Sequence, residues 1–306
     1  SRGCVLTEQL CYLESQIRRR LNLPLVRIFD IVAGTSTGGL IATGLVKPAE
    51  DRITPLYTVR DIDALYTPAN ARRIFSASRW HNFRTWGGIW GPKYQEFGIE
   101  SLLDEIAGST WLSECVTNTL ITAVNMDTSE EYCFRSDHAR LSPSMNFQLK
   151  KVGRATSAAP TFFPPALIRD QERNPHSFVD GGIRYNNPSG LALDMAEEIY
   201  PGAPGYILLS LGTGMKVVGG HGYESLRDSG KIGWARPLIE MMMYGSSVAT
   251  DRSVSRRLRP KMIREALTRQ YYRTQLLLPE RLSAMDTVNA NTLNELRTMA
   301  DPLSNI

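Results

Sequence analysis

The sequence predicts an α/β layer fold with a mainly parallel sheet, and three observations carry that expectation. Short apolar runs rich in β-branched residues alternate with segments of helical periodicity. Two of those runs lead straight into glycine turns, as strands do at the ligand-facing edge of such sheets. The chain has 306 residues, 42% hydrophobic and 22% charged, which is enough to bury a core and too apolar for disorder.

Each element follows in order. Leu6, Leu10, Leu13 and Ile17 recur at helical spacing among polar residues and predict an amphipathic first helix, closed by Pro24. Ile28–Ala33 suits a buried strand. It runs into Gly34-Thr35-Ser36-Thr37-Gly38-Gly39 and then into Leu40–Leu45, which reads as a helix. Further strands are expected at Leu120–Val124 and Tyr206–Leu211, the second followed by Gly212-Thr213-Gly214. Helical patterns lie at Ile99–Ala107, Leu191–Ile199, Leu238–Thr250 and near the C-terminus. With no repeat, low-complexity stretch or linker, one domain spanning 1–306 is the simplest organisation.

Composition narrows the function. The formal charge of +4 is too mild to argue for nucleic acid as a partner. Basic residues do cluster, at Arg18-Arg19-Arg20 and across Arg252, Arg256, Arg257, Arg259, Lys261 and Arg264. They fit a solvated helix face or an anionic membrane surface. Cys4, Cys11, Cys115 and Cys133 show neither paired nor metal-ligand spacing, which fits a reducing, cytoplasmic compartment. No apolar run is long enough to span a bilayer, and no signal-peptide pattern is present. The chain starts at Ser1 without Met, so a fragment of a longer protein is expected.

Gly34-Thr35-Ser36-Thr37-Gly38 is the one G-x-S-x-G in the chain. On a sharp strand-to-helix turn, glycines two before and two after a serine remove β-carbons that would obstruct it, and the next helix aims its N-terminus at the reacting centre. The same residues also make ordinary turns, but a buried strand before and an apolar helix after supply the context that a nucleophile requires. A serine hydroxyl needs a base. His81, His138, His176 and His221 are the histidines, and none is framed as a triad member. Asp180 is better placed: Ser177-Phe178-Val179 reads as a short strand, Asp180-Gly181-Gly182 as the turn at its end, and Asn186-Asn187-Pro188 as a helix start. The plainer reading of Asp180-Gly181 is a hairpin turn.

Together these residues resemble the patatin-like phospholipase family. The nucleophile turn matches Gly34–Gly39, the family's D-G-[GA] motif matches Asp180-Gly181-Gly182, and Arg154–Phe163 is similar to its R-A-T-S-A-A-P-T-x-F segment. Leu209–Gly214 resembles its S-L-G-T-G strand and turn, and fainter similarity extends to Met285-Asp286 and Asn291–Leu293. The resemblance implies a three-layer α/β/α sandwich and a Ser36–Asp180 dyad that cleaves fatty-acyl esters of phospholipids or acylglycerols through an acyl-enzyme. It requires no metal and no cofactor. Thr37 N–H would supply part of the oxyanion hole. Of the family's upstream D-G-G-G-x-R-G loop, only the tail is matched, by Arg2 and Gly3, so residues upstream of Ser1 are expected to carry the rest. Loss of one oxyanion donor costs other enzymes about 3–4 kcal/mol.

Trp80, Trp86 and Trp90 suit either a rim that enters a lipid interface, with peripheral membrane contact, or an Ω-like loop packing its own aromatics. Met241-Met242-Met243 suits core packing or an acyl cavity, core packing being the plainer expectation. Two other functions compete with the lipid acyl hydrolase: a Ser–His–Asp esterase on soluble esters, and a non-catalytic lipid-binding module.

Overall fold

A computed structural model describes residues 2–75, 92–216, 223–263, 266–268, 270–284 and 286–301. The predicted first helix is α1 (Gly3–Leu21), ended by Asn22 in the left-handed conformation that asparagine tolerates. Its stripe of Leu6, Leu10, Leu13 and Ile17 packs against Ile41 and Leu45. Strand β1 (Ile31–Thr35) begins three residues later than expected: behind Pro24, Leu25–Ile28 coil into a 3-10 turn that buries Leu25 and Val26. Then come α2 (Thr37–Leu45), α3 (Phe97–Ala107), β2 (Asn118–Asn125), β3 (Glu131–Arg135) and α4 (Leu149–Thr156). A hairpin of β4 (Ala166–Arg169) and β5 (Pro175–Asp180) leads through a short helix, α5 (Gly182–Tyr185), into α6 (Ser189–Ile199). The last part holds β6 (Leu208–Leu211), β7 (Met215–Lys216), α7 (Lys231–Arg257), β8 (Tyr271–Thr274), β9 (Leu277–Leu278) and α8 (Ala290–Ala300). Helix α7 extends well beyond the predicted Leu238–Thr250 and carries Pro237 within it.

Helices lie on both faces of a five-stranded sheet, as the α/β sandwich requires. Successive side chains of a strand face opposite ways. Ile121 and Ala123 of β2 join the largest core cluster with Ala42 of α2 and Val152 and Ala155 of α4. Thr122, between them, faces Thr35 and the α5 side. Phe134, Phe147 and Phe178 are fully buried at the centre of that cluster, with ring centroids 5.0 Å (Phe134–Phe178) and 5.1 Å (Phe134–Phe147) apart.

The expected mainly parallel sheet is corrected to a mixed one. Strand β1 runs parallel to β2, but β3 and β5 lie antiparallel to β2, and β4 antiparallel to β5. Connections too short for a crossover helix explain this: β2 to β3 and β4 to β5 are hairpins, which antiparallel neighbours permit and parallel ones do not. Parallel pairing returns in β6–β8 and β7–β9.

Candidate active site

The sheet register brings two distant parts of the chain to one point. Residues of β2 that pair with β3 on one edge pair with β1 or β5 on the other, so β1 and β5 share that edge. They arrive from opposite directions and stop at adjacent positions, Thr35 opposite Thr122 and Asp180 opposite Ala123. Ser36 follows Thr35 directly. Its Oγ donates to Asp180 Oδ2 at 2.5 Å, across 144 residues.

The turn at Ser36 is strained, with φ 53° and ψ −123°, a region that residues with a β-carbon rarely occupy. Gly34 permits it, because a Cβ there would lie 2.4 Å from the Gly38 carbonyl oxygen. Gly38 plays a different part from the one its spacing suggests: a Cβ there would meet nothing within 4 Å. It lines the cavity, so its missing side chain leaves room above Ser36. Gly181 lets the end of β5 press onto β2, a Cβ there falling 2.3 Å from Thr122 Oγ1; Gly182 has more room. Asp180-Gly181 makes no hairpin, since the chain runs on into α5.

Asp180 is 2% exposed. Burial pushes its carboxyl up to about 6, opposed by the hydrogen bonds from Ser36 and from Gly182 N–H, which reaches Oδ1 at 2.7 Å. Above that pH it is a carboxylate holding the serine proton. No side chain caps the N-terminus of α2, so the Thr37 and Gly38 N–H groups face the site without a capping acceptor. Arg2 and Gly3 sit beside them. A Cβ on Gly3 would lie 2.6 Å from Thr37 Cγ2, and Arg2 Nη1 donates to the Gly214 carbonyl at 2.9 Å. Burial lowers the Arg2 guanidinium to about 10, an effect that Glu240 opposes.

Ser36, Thr37 and Gly38 open onto a cavity of about 1230 Å³, whose lining also includes Met241 and Met243 of α7. The core packing expected for the methionines does not hold there. Met241 and Met242 are 40% and 44% exposed, because α7 turns that face to the cavity and to solvent.

Comparison with known proteins identifies the family. The family described as patatin-like phospholipase matches residues 9–193, more than half of the chain. The chain belongs to the patatin-like phospholipase family. Patatin-like protein 4 of Arabidopsis thaliana is 32% identical over 70% of this chain and 57% of its own length. Patatin-like protein 1 of Oryza sativa subsp. indica is 29% identical over 82% of this chain and 66% of its own. A third relative, from Solanum tuberosum, is 27% identical and carries the name Probable inactive patatin-3-Kuras 1. This chain therefore spans less than two thirds of the length of the first two, and family membership is separate from turnover.

Within the patatin-like frame, the segment Arg154–Phe163 acquires a physical role that its motif did not disclose. Thr156 Oγ1 accepts the backbone N–H of Ser36 at 2.8 Å, and the Ala158 carbonyl accepts that of Asp180 at 3.0 Å. One stretch thus anchors both members of the dyad. Its run of small residues was the available signal, since only small side chains allow so close an approach. Thr35 Oγ donates to the Tyr185 carbonyl and so accepts from Thr122, tying β1 to the chain beyond Asp180.

The histidines fall elsewhere. His176 Nε2 lies 3.0 Å from buried Asp170 and its ring stacks on Phe178, while His138 stands 3.9 Å from Asp137. His81, His221 and the three tryptophans of the expected rim lie outside the described residues. Among the described residues no imidazole bonds Ser36, no three His, Cys, Asp or Glu side chains gather as metal ligands, and no helix is long and apolar enough to cross a membrane. Of the basic cluster, Arg257 is taken up by Asp194 and Glu197 of α6, at 2.7 and 2.8 Å.

Proposed function

We propose that the chain is a lipid acyl hydrolase in which Ser36 is the nucleophile and Asp180 the base. The observation that carries this reading is the 2.5 Å hydrogen bond from Ser36 Oγ to a buried carboxylate, beside a cavity large enough for an acyl chain. Ser36 Oγ attacks the ester carbonyl carbon as its proton passes to Asp180. Charge develops on the carbonyl oxygen, where Thr37 N–H and the N-terminus of α2 are the available donors. The tetrahedral adduct collapses, Asp180 returns the proton to the departing alcohol, and the acyl group stays on Ser36. Water then attacks that ester, its proton goes to Asp180, and the Ser36 hydroxyl is restored as the fatty acid leaves. A carboxyl near 6 suits the work, being ionised at neutral pH yet basic enough to take a proton. Phospholipid or acylglycerol is the substrate, met at a membrane surface.

Ser36→Ala and Asp180→Asn test the dyad on an emulsified lipid and on a soluble p-nitrophenyl ester. Each is expected to reduce kcat by about 10³-fold or more with an unchanged circular dichroism spectrum. Retention of most activity in Asp180→Asn, together with its loss in one His→Ala variant, would replace the dyad with a triad. The relative named as inactive supports one alternative, a lipid-binding module without turnover, which an inert wild type that still binds liposomes would establish.

A further inference from the structure

A second polar cluster lies in the same cavity, outside the dyad. Arg273 on β8 stands opposite Ser210 on β6 in the parallel ladder, and both line the cavity. Its Nη1 donates to Ser210 Oγ at 2.6 Å and its Nη2 reaches Ser247 Oγ on α7 at 3.3 Å. Among the described residues no carboxylate pairs with it. Of the other cavity cations, Lys216 binds Glu280 at 2.6 Å, and Arg2 is bonded to the Gly214 carbonyl and lies near Glu240, its Nε buried without a partner among the described residues. A guanidinium has five N–H donors, so Arg273 keeps several free.

Behind it sits Asn187, 2% exposed. Its Oδ1 accepts from the Ser189 hydroxyl at 2.6 Å and from the Ser189 backbone N–H at 3.2 Å. The backbone donor fixes which way the amide faces. The Nδ2 group therefore points away from these partners, buried and with none of its own among the described residues. That amide nitrogen is closed off from the cavity, whereas the guanidinium on the cavity wall, with no carboxylate partner among the described residues, calls for an acceptor that an anion with several oxygens supplies.

The position relative to the dyad follows from α7. A Cβ on Gly182, two residues past Asp180, would lie 3.1 Å from Met243 Cε. Ser247 is one helical turn further along, about 6 Å on the axis. Ser36 and Arg273 thus line one cavity, joined along α7 by Met243 and Ser247.

We infer that Arg273, held by Ser210 and Ser247, forms a phosphate subsite, so that the cavity selects glycerophospholipids over neutral acylglycerols. This deepens the hydrolase reading and rests on it for the word substrate. The test compares wild type with Arg273→Gln and Arg273→Lys on a short-chain phosphatidylcholine and the matching diacylglycerol. The ratio of kcat/KM for phospholipid over neutral ester is expected to fall about 10- to 100-fold in Arg273→Gln, mainly through KM, and to recover in part with lysine. An unchanged ratio, including equal losses on both esters from a merely structural role, overturns the subsite. A binding arm stands apart from turnover: Ser36→Ala, with and without Arg273→Gln, is titrated calorimetrically with glycerol phosphate, inorganic phosphate and the phosphatidylcholine. Phospholipid binding that Arg273→Gln weakens supports the subsite even if no ester is cleaved. Inorganic phosphate binding as tightly as the lipid makes free phosphate the ligand and overturns the head-group assignment; no phosphate-dependent binding overturns the site altogether.

Discussion

The nucleophile end of the cavity and its wall on α7 differ in how closely backbone meets backbone. At Ser36 the chain passes within contact distance of itself three times: Gly34 against Gly38, Gly181 against Thr122, and the Thr156–Ala158 stretch against Ser36 and Asp180. At α7 the cavity meets Met241 and Tyr244, 40% and 56% exposed, beside the more buried Met243. Placement of a proton between two oxygens 2.5 Å apart needs atoms that cannot shift, and close backbone contact supplies that. Accommodation of an apolar chain needs volume and compliance, which flexible thioethers supply. The two regions should therefore respond to substitution with different magnitudes and in different observables.

Within the cavity lining the largest expected effect is at Gly34. The added methyl of Gly34→Ala would meet the Gly38 carbonyl oxygen at 2.4 Å, a backbone atom that cannot rotate away. A loss of about 3 kcal/mol in urea unfolding is expected, with activity abolished. Gly38→Ala is the control from the same motif: with nothing within 4 Å it should change stability by less than about 0.5 kcal/mol while slowing turnover, since the methyl enters the cavity. Equal destabilisation by both would remove the distinction between a clash-relieving and a space-making glycine.

That distinction marks how much was legible in advance. Ser36 and Asp180 could be singled out because glycine spacing at tight turns is a local demand, written in neighbouring residues. Helices α1, α3 and α6 were likewise readable from periodicity. Strand direction was not, because β3 and β4 are short, partly exposed runs whose pairing depends on partners elsewhere in the chain. Nor was the anchoring by Thr156 and Ala158: a run of small residues marked the stretch, but which hydroxyl and which carbonyl act across the fold is set only once the chain has folded. Arg273 carried no motif at all; its environment exists only once β6, β8 and α7 have met.

A comparable effect of opposite sign is expected at Asp180. Its folded pKa, about 6, lies above the ordinary aspartate value of 3.8, so between those values the folded protein retains a proton that the unfolded chain has released. The contribution of Asp180 to stability is therefore highest below about pH 4, falls as pH rises to 6, and is level beyond. Asp180→Asn removes the ionisation while leaving an acceptor for Gly182 N–H. Relative to wild type, the variant should gain up to about 3 kcal/mol between pH 4 and pH 7, measured as the pH dependence of the difference in unfolding free energy. In wild type, the acid limb of kcat/KM should fall below about pH 6. A variant equally stabilised at both pH values would mean that the cost of burying this charge is not what the dyad carries.

The smallest effect is expected at the α7 wall. Met241 is 40% exposed and lines the cavity, so Met241→Ala removes little buried surface and leaves a gap open to solvent. Its unfolding free energy should change by less than about 1 kcal/mol, against about 3–5 for Phe134→Ala in the aromatic core. On the proposed hydrolase reading, the wall sets the length and shape available to an acyl chain. Profiles of p-nitrophenyl esters from four to sixteen carbons should shift by a few-fold toward longer or bulkier chains in Met241→Ala, with the acid limb near pH 6 unmoved because the dyad is untouched. A shifted acid limb would mean that the compliant wall and the rigid turn are coupled, and a shift in neither would take Met241 out of the acyl path.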